Sequence, residues 1–107
     1  MRLGYVRGSV VLSPALPSLV GTRLLLVEPV TAEHLEARDG LGGGRPLVVA
    51  DHLGPGEGAL IGFVEGAEAA NAYHPGVAPV DAYCALVVSD YEFASPATSP
   101  LERAEGQ

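Results

Sequence analysis

The alternation of short apolar runs with glycine and proline constrains the fold of this chain more than any other feature. The 107 residues include 14 glycines and 9 prolines. Turn signals recur about every 8 to 15 residues, a spacing typical of proteins built from short strands. Five apolar or alternating runs lie between them, at Leu3–Leu12, Thr22–Val30, Leu47–Ala50, Ala59–Glu65 and Ala82–Ser89. The pattern predicts an all-β domain with five short strands.

Helical signals are few. The alanine-rich run Ala67–Tyr73, between the fourth and fifth strands, is the one convincing helix former. Thr31–Arg45 reads as a long exposed loop with one helical turn at Ala32–Ala37, and Tyr91–Phe93 reads as a short edge strand. Five strands with one short helix before the last predict a small OB-like β-barrel. We expect one domain over residues 1–93 and a flexible C-terminal tail over 94–107, where proline breaks and scattered charges occur.

The charge balance disfavours several classes of partner. Thirteen acidic residues against six basic ones give a net charge of -7. Nucleic acids and anionic membrane surfaces both require clustered positive charge. The apolar runs are too short to span a bilayer, and the N-terminus lacks the apolar segment of a signal peptide. With a single cysteine and hence no internal disulfide, the chain is expected to be cytoplasmic.

Catalytic and metal-binding patterns are not evident. His34, His52 and His74 have no paired spacing, and Cys84 lies mid-strand, where a thiol usually acts as a small apolar side chain. We therefore predict no catalytic residue, no metal, no cofactor and no enzymatic activity. The glycine-rich stretch 40–45 lacks the Gly-Lys-Ser/Thr ending of a phosphate-binding loop, which favours a flexible loop.

A second glycine-rich segment joins the third and fourth predicted strands. It is either an ordinary hairpin turn or a tight loop that packs against a neighbouring subunit or lines a narrow opening. The candidate interface or pore residues in it are Asp51, Gly54, Pro55 and Gly56. Pro79 and Asp81, before the last strand, are candidates for a structural turn.

Two strands are apolar on both faces. In Leu24–Val27 and Ala82–Val88, neither of the two alternating sets of side chains is polar, so both faces of each strand are expected to be buried. A small barrel has one core, and the second face therefore indicates either subunit contacts or a covering segment of the same chain.

Four segments, in this order, resemble one known family. They are Val6–Val10, matching Val-x-Gly-x-Val; Gly21–Val27, matching Gly-x-x-Leu-Leu-x-Val; Asp51–Gly56, similar to Asp-x-hydrophobic-Gly-Ala-Gly; and Pro79–Asp81, matching Pro-hydrophobic-Asp. The chain thus resembles the EutN/CcmL-type vertex proteins of bacterial microcompartments, over residues 1–93. It departs from their pattern at Pro55, which replaces alanine, and over 66–71, which lacks the usual Gly-Ser-Ser-Ala-Arg; the loop 31–46 and the tail are also longer than usual.

The resemblance implies a structural role. Members assemble as pentamers and cap the corners of a polyhedral shell in the bacterial cytoplasm, with hexameric and trimeric shell proteins as partners. Two alternatives remain from the residues themselves. One is an OB-type module for single-stranded nucleic acid, for which aromatic residues exist but a basic groove does not. The other is a small oligomeric enzyme or ligand-binding barrel that uses Asp51 or Asp81.

Overall fold

A computed structural model of the chain describes residues 1–11, 16–73 and 80–92. The strands are β1 (Arg2–Val11), β2 (Arg23–Val30), β3 (Leu47–Asp51), β4 (Leu60–Glu65) and β5 (Ala82–Val87). The helices are α1 (Ala32–Ala37) and α2 (Ala67–Asn71), and a 3₁₀ turn spans Pro17–Leu19. The five predicted strands and the predicted helical turn after β2 are all present.

The strands form a closed barrel in the order β1-β2-β3-β5-β4. Neighbours are antiparallel except β3 and β5, which run parallel and pair at Ala50 and Tyr83. The predicted mainly-β barrel is thus confirmed.

A bulge bends β1 so that it can pair with β2 on one side and β4 on the other. Val6 lies opposite Val27 but Gly8 lies opposite Leu26, so Arg7 is the extra residue. The Arg7 guanidinium donates to Glu28 Oε1 at 2.9 Å and to the Gly40 carbonyl at 2.7 Å. The glycine that predicted a bend in this strand therefore follows the bulge directly.

The core is small and aliphatic, with one phenylalanine. Alternation along β2 turns Leu25 and Val27 inward, where both are fully buried, and leaves Leu26 exposed outside. The buried cluster consists of Val6, Leu25, Val27, Val49, Ile61, Phe63, Ala82 and Cys84.

Close packing at β1 requires glycine. A Cβ at Gly4 would collide with the Val27 side chain and lie 2.9 Å from the Glu28 carbonyl oxygen. Gly8, further along β1, has room for a Cβ, since the nearest atom would be 3.6 Å away.

Several local predictions need correction. The 3₁₀ turn was not expected, and α2 ends at Asn71 rather than Tyr73. The edge strand at Tyr91–Phe93 is wrong for Tyr91 and Glu92, which lie outside any strand. Tyr91 instead packs on α1, where its hydroxyl donates to the Leu35 carbonyl at 2.9 Å and Arg38 lies 4.5 Å above its ring.

Pro79, His74, Phe93 and the predicted tail 94–107 lie outside the described residues. In the part of the chain that is described, no helix has the length and apolar character needed to cross a membrane.

Candidate functional site

Asp51 organises the loop that follows β3. Its side chain is fully buried, yet it accepts the backbone N–H of Leu53 at 3.0 Å and that of Gly54 at 2.8 Å. A buried carboxylate is stable only when such donors replace its water. Gly54 has φ of +78°, a left-handed conformation that favours glycine.

Arg23 and Cys84 complete the surroundings of this carboxylate. Arg23 lies directly opposite Asp51 in the β2–β3 register, with Nε 3.6 Å from Oδ2. Its guanidinium also donates to the Pro55 carbonyl at 3.0 Å and so reaches the middle of the loop. Burial, and then the nearby Asp51 charge, raise the pKa of the Cys84 thiol to about 12.

The loop is not a hairpin turn. In the barrel β5 lies between β3 and β4, so the two strands that the loop connects do not pair. The loop crosses one end of the barrel and rejoins it at β1. There the Gly58 N–H donates to the Val6 carbonyl at 2.7 Å, and the Val6 N–H donates to the Ala59 carbonyl at 2.9 Å. The hairpin alternative is therefore wrong.

Most of the loop after Asp51 is exposed, and its two inner glycines are part of that surface. Pro55 is buried, whereas Gly54 and Gly56 are exposed. A Cβ at Gly56 would meet no atom within 4 Å, and its backbone lies outside the left-handed region. Gly56 is thus a position where a larger side chain fits the single chain without strain.

A polar and aromatic cluster fixes the start of the same loop. The His52 ring shares hydrogen bonds with Thr22 Oγ1 (Nε2, 2.7 Å) and with the Tyr83 hydroxyl (Nδ1, 2.7 Å). The Tyr73 hydroxyl lies 2.9 Å from the same threonine oxygen. The three rings stand edge to face with centroids 5.3–5.6 Å apart, so no space for a ligand remains between them.

The sequence did not reveal this cluster because its members come from separate segments of the chain.

Asp81 is the described residue of the two predicted in the turn before β5. Its backbone carbonyl accepts the Gly66 N–H at 2.8 Å, and its side chain is exposed.

Two apolar surfaces lie outside the barrel. The first outer face lies on β1, β2 and β3, where cross-strand pairs place apolar side chains side by side; it consists of Val10, Leu24, Leu26 and Val48. Val10, Leu26 and Val48 are each about half exposed, at 48%, 43% and 51%.

The second outer face lies on β1, β4 and β5. Leu3 and Leu86 flank Gly62 from the two neighbouring strands, and Met1 covers the same glycine. The two faces differ in composition and in the strands that carry them. The outward apolar side chains that the sequence indicated for β2 and β5 are thus partly exposed to solvent in the single chain.

Within residues 1–11, 16–73 and 80–92, no group of three or more His, Cys, Asp or Glu side chains has the geometry to hold a metal ion. Most of the described arginines are paired with acids or carbonyls rather than gathered into a basic groove.

Residues 1–88 match the family described as ethanolamine utilisation protein EutN/carboxysome. The chain belongs to this family. The GrpN pentameric microcompartment shell protein from Rhodospirillum rubrum is 29% identical, with a TM-score of 0.69 over 89% of this chain and 100% of that one. The CcmL of Gloeobacter violaceus is 30% identical, with a TM-score of 0.68 over 86% and 89% of the two chains.

The ethanolamine utilization protein EutN from Escherichia coli is 28% identical, with a TM-score of 0.68 over 82% of this chain and 84% of that one. No curated protein matches by sequence. Homology to shell proteins confirms the predicted structural role and disfavours the nucleic-acid-binding alternative.

Proposed function

We propose that this chain forms a homopentameric vertex of a bacterial microcompartment shell and has no catalytic role of its own. The observation that carries the proposal is the pair of unlike apolar outer faces on a member of this family. The pentameric GrpN protein, matched over its whole length, supports the oligomeric state.

The two faces suit a ring. In a cyclic oligomer with more than two members, each subunit contacts its neighbours through two different surfaces. The first outer face of one copy would therefore meet the second outer face of the next. Apolar area of this kind is what permanent subunit contacts bury.

The Asp51 loop is proposed to lie at a subunit contact or at the axial opening of the ring. Gly54 and Gly56 expose backbone without side chains, which permits the close approach of another chain. Asp51 and Pro55 hold that exposed backbone in place from beneath, through the buried carboxylate and the Arg23 contact.

The remaining partners follow from the proposed role. A vertex closes a shell whose facets are built by other proteins, so hexameric and trimeric shell proteins are the proposed contacts. The proposed location is the microcompartment shell in the cytoplasm.

The proposal is tested first by the mass of the purified protein. Five copies of the 11.0 kDa chain weigh about 55 kDa in native mass spectrometry. A mass that remains that of a monomer or dimer at high concentration would contradict the proposal.

The loop assignment is tested by Gly56→Val. The new side chain fits the single chain, so the thermal unfolding temperature of the subunit should change little while the pentamer fraction falls several-fold. Ala37→Val adds the same side chain at an exposed site on α1 and is the control. An unchanged pentamer fraction in Gly56→Val would remove the loop from the interface and the opening.

A further inference from the structure

A cavity of about 730 Å³ opens at one end of the barrel. We call it the mouth cavity. All five strands reach it, because β1, β3 and β5 begin there and β2 and β4 end there; the strand residues that line it include Arg2, Val30, Leu47, Glu65 and Ala82. Barrel mouths are common ligand sites, and the volume lies within the usual range of about 300–1,000 Å³ for small molecules.

Two opposite charges in this cavity have no partner among the residues that the structure describes. Arg2 is neutralised by Glu65 at 2.7 Å. Arg45 differs from the other arginines of the described segments, since its guanidinium has neither a hydrogen-bond nor an ion-pair partner there. The Asp81 carboxylate also lines the cavity, and within the described residues only its backbone carbonyl is engaged.

The loop that carries Arg45 is attached to the barrel. Gly42 N–H donates to Glu28 Oε1 at 2.9 Å, and Gly43 N–H donates to the Pro29 carbonyl at 3.0 Å. His34 Nδ1 accepts the Thr31 N–H at 2.9 Å, and its Nε2 edge packs so closely on Gly43 that a Cβ there would lie 2.9 Å away.

These contacts fix the glycine-rich stretch at residues 42 and 43, next to the residues 43–45 that line the cavity. A binding group on a held backbone loses less conformational freedom when a ligand arrives.

We propose that the mouth cavity binds a small zwitterionic amino-carboxylate, such as a free amino acid, with the ligand carboxylate on Arg45 and its ammonium group on Asp81. The planar guanidinium fork matches a carboxylate, and a carboxylate side chain accepts the N–H bonds of an ammonium group. A chain with a net charge of -7 repels simple anions, whereas a zwitterion carries no net charge. This site lies beyond the proposed shell role and does not depend on it.

The test is isothermal titration calorimetry of the full-length protein with each of the standard amino acids. At least one should bind with a Kd of roughly 1 mM or below, and Arg45→Gln and Asp81→Asn should each weaken that binding roughly tenfold or more. Glu36→Gln, an exposed acid on α1 that does not line the cavity, is the control and should bind as the unchanged protein does.

Two ligand derivatives assign the two contacts. With the unchanged protein, the amide of the bound amino acid should bind roughly tenfold more weakly than the amino acid itself. With Arg45→Gln, the amide and the amino acid should bind equally well. The N-acetyl derivative should show the same pattern with Asp81→Asn. Absence of any binding at 10 mM ligand, or equal weakening by the control, would overturn the proposal. A change of oligomeric mass in Arg45→Gln or Asp81→Asn would place the two charges at a subunit contact and overturn it as well.

Discussion

At the scale of single residues, the buried carboxylate of Asp51 links the barrel to the exposed loop that follows β3. Two backbone donors, the Arg23 guanidinium and the Cys84 thiol surround it. The loop therefore owes its shape to a charge that water does not reach. Removing that charge tests the arrangement more sharply than removing any apolar neighbour.

We expect Asp51→Asn to destabilise the protein by about 2–4 kcal/mol. The amide NH₂ would face a backbone N–H that needs an acceptor, and Arg23 would lose its counter-charge. Urea denaturation measures the free energy of unfolding. Asp39→Asn, at an exposed acid that accepts the Leu41 N–H, is the control, and an equal loss in both variants would contradict the assigned role.

Cys84 should be nearly inert in the folded protein. With a thiol pKa of about 12, the thiolate fraction at pH 8 is on the order of 10⁻⁴, and the side chain is buried. Alkylation by iodoacetamide, followed by mass spectrometry, should be at least roughly 100-fold slower than in concentrated urea. Labelling of the folded protein at the unfolded rate would show that the thiol is accessible.

The raised pKa of the Cys84 thiol also predicts how the stability of the fold changes at alkaline pH. The folded state raises the pKa above its ordinary value of 9.0, so the folded protein holds this proton more tightly than the unfolded chain does. The contribution of the protonated Cys84 thiol to the free energy of unfolding is fully present below about pH 9 and is lost as the pH rises towards 12. Cys84→Ala should show a smaller decline in that window.

At the scale of elements, β1 is the strand that joins the two sides of the barrel. Its bulge and its glycines allow it to pair with β2 and β4 at once. The two glycines have different surroundings, because Gly4 is enclosed by Val27 and Phe63 whereas Gly8 lies beside the exposed Leu26.

Gly4→Ala should therefore cost about 1–3 kcal/mol of stability, because its methyl group meets both a fixed side chain and a backbone oxygen. Gly8→Ala, in the same strand, should change the unfolding free energy by less than about 0.5 kcal/mol. Thermal or urea unfolding of the pair decides the matter. Similar losses in both would indicate that strand propensity, not packing, governs these positions.

Local signals carried most of the element assignment. Apolar or alternating runs between turn residues placed all five strands within one or two residues of their observed ends. The hairpin alternative at Gly54–Gly56 failed because pairing between strands far apart in sequence has no local signal. The edge strand at Tyr91 failed for a related reason, since the contact with α1 is made by a residue 56 positions away, Leu35.

The candidate site was predictable only in part. Asp51, Gly54 and Gly56 were evident in the sequence because they lie between two apolar runs. Arg23 of β2 and Tyr83 of β5, by contrast, reach the loop from distant parts of the sequence, and their convergence depends on the closed barrel. Arg45 and Asp81 likewise meet at one cavity only after the strand ends are brought together.

At the scale of the whole molecule, the two outer faces are the proposed contacts between subunits. Leu26 lies at the centre of the first outer face, between Gly8 on β1 and Val48 on β3. Its side chain points away from the core, so a charge there is compatible with the folded monomer.

We expect Leu26→Glu to reduce the native mass from about 55 kDa to that of the 11.0 kDa chain, while the far-ultraviolet circular dichroism spectrum stays the same. Burying an unpaired carboxylate at a subunit contact costs far more than exposing it on a monomer. Leu41→Glu, at an exposed leucine on the glycine-rich stretch, should leave the mass unchanged. An intact oligomer in Leu26→Glu would move the contact elsewhere.

The parallel junction of the barrel has a consequence for the time course of folding. β3 and β5 meet at one paired position, Ala50 with Tyr83, and residues 52–81 separate the two strands. The entropy of closing that long connection is lost before much pairing is gained, so this contact belongs among the slow steps of folding. The first outer face is carried by β1, β2 and β3, and this junction anchors β3 on its other side. On the proposed assembly, a newly made chain would therefore present that face in full only after its own barrel has closed.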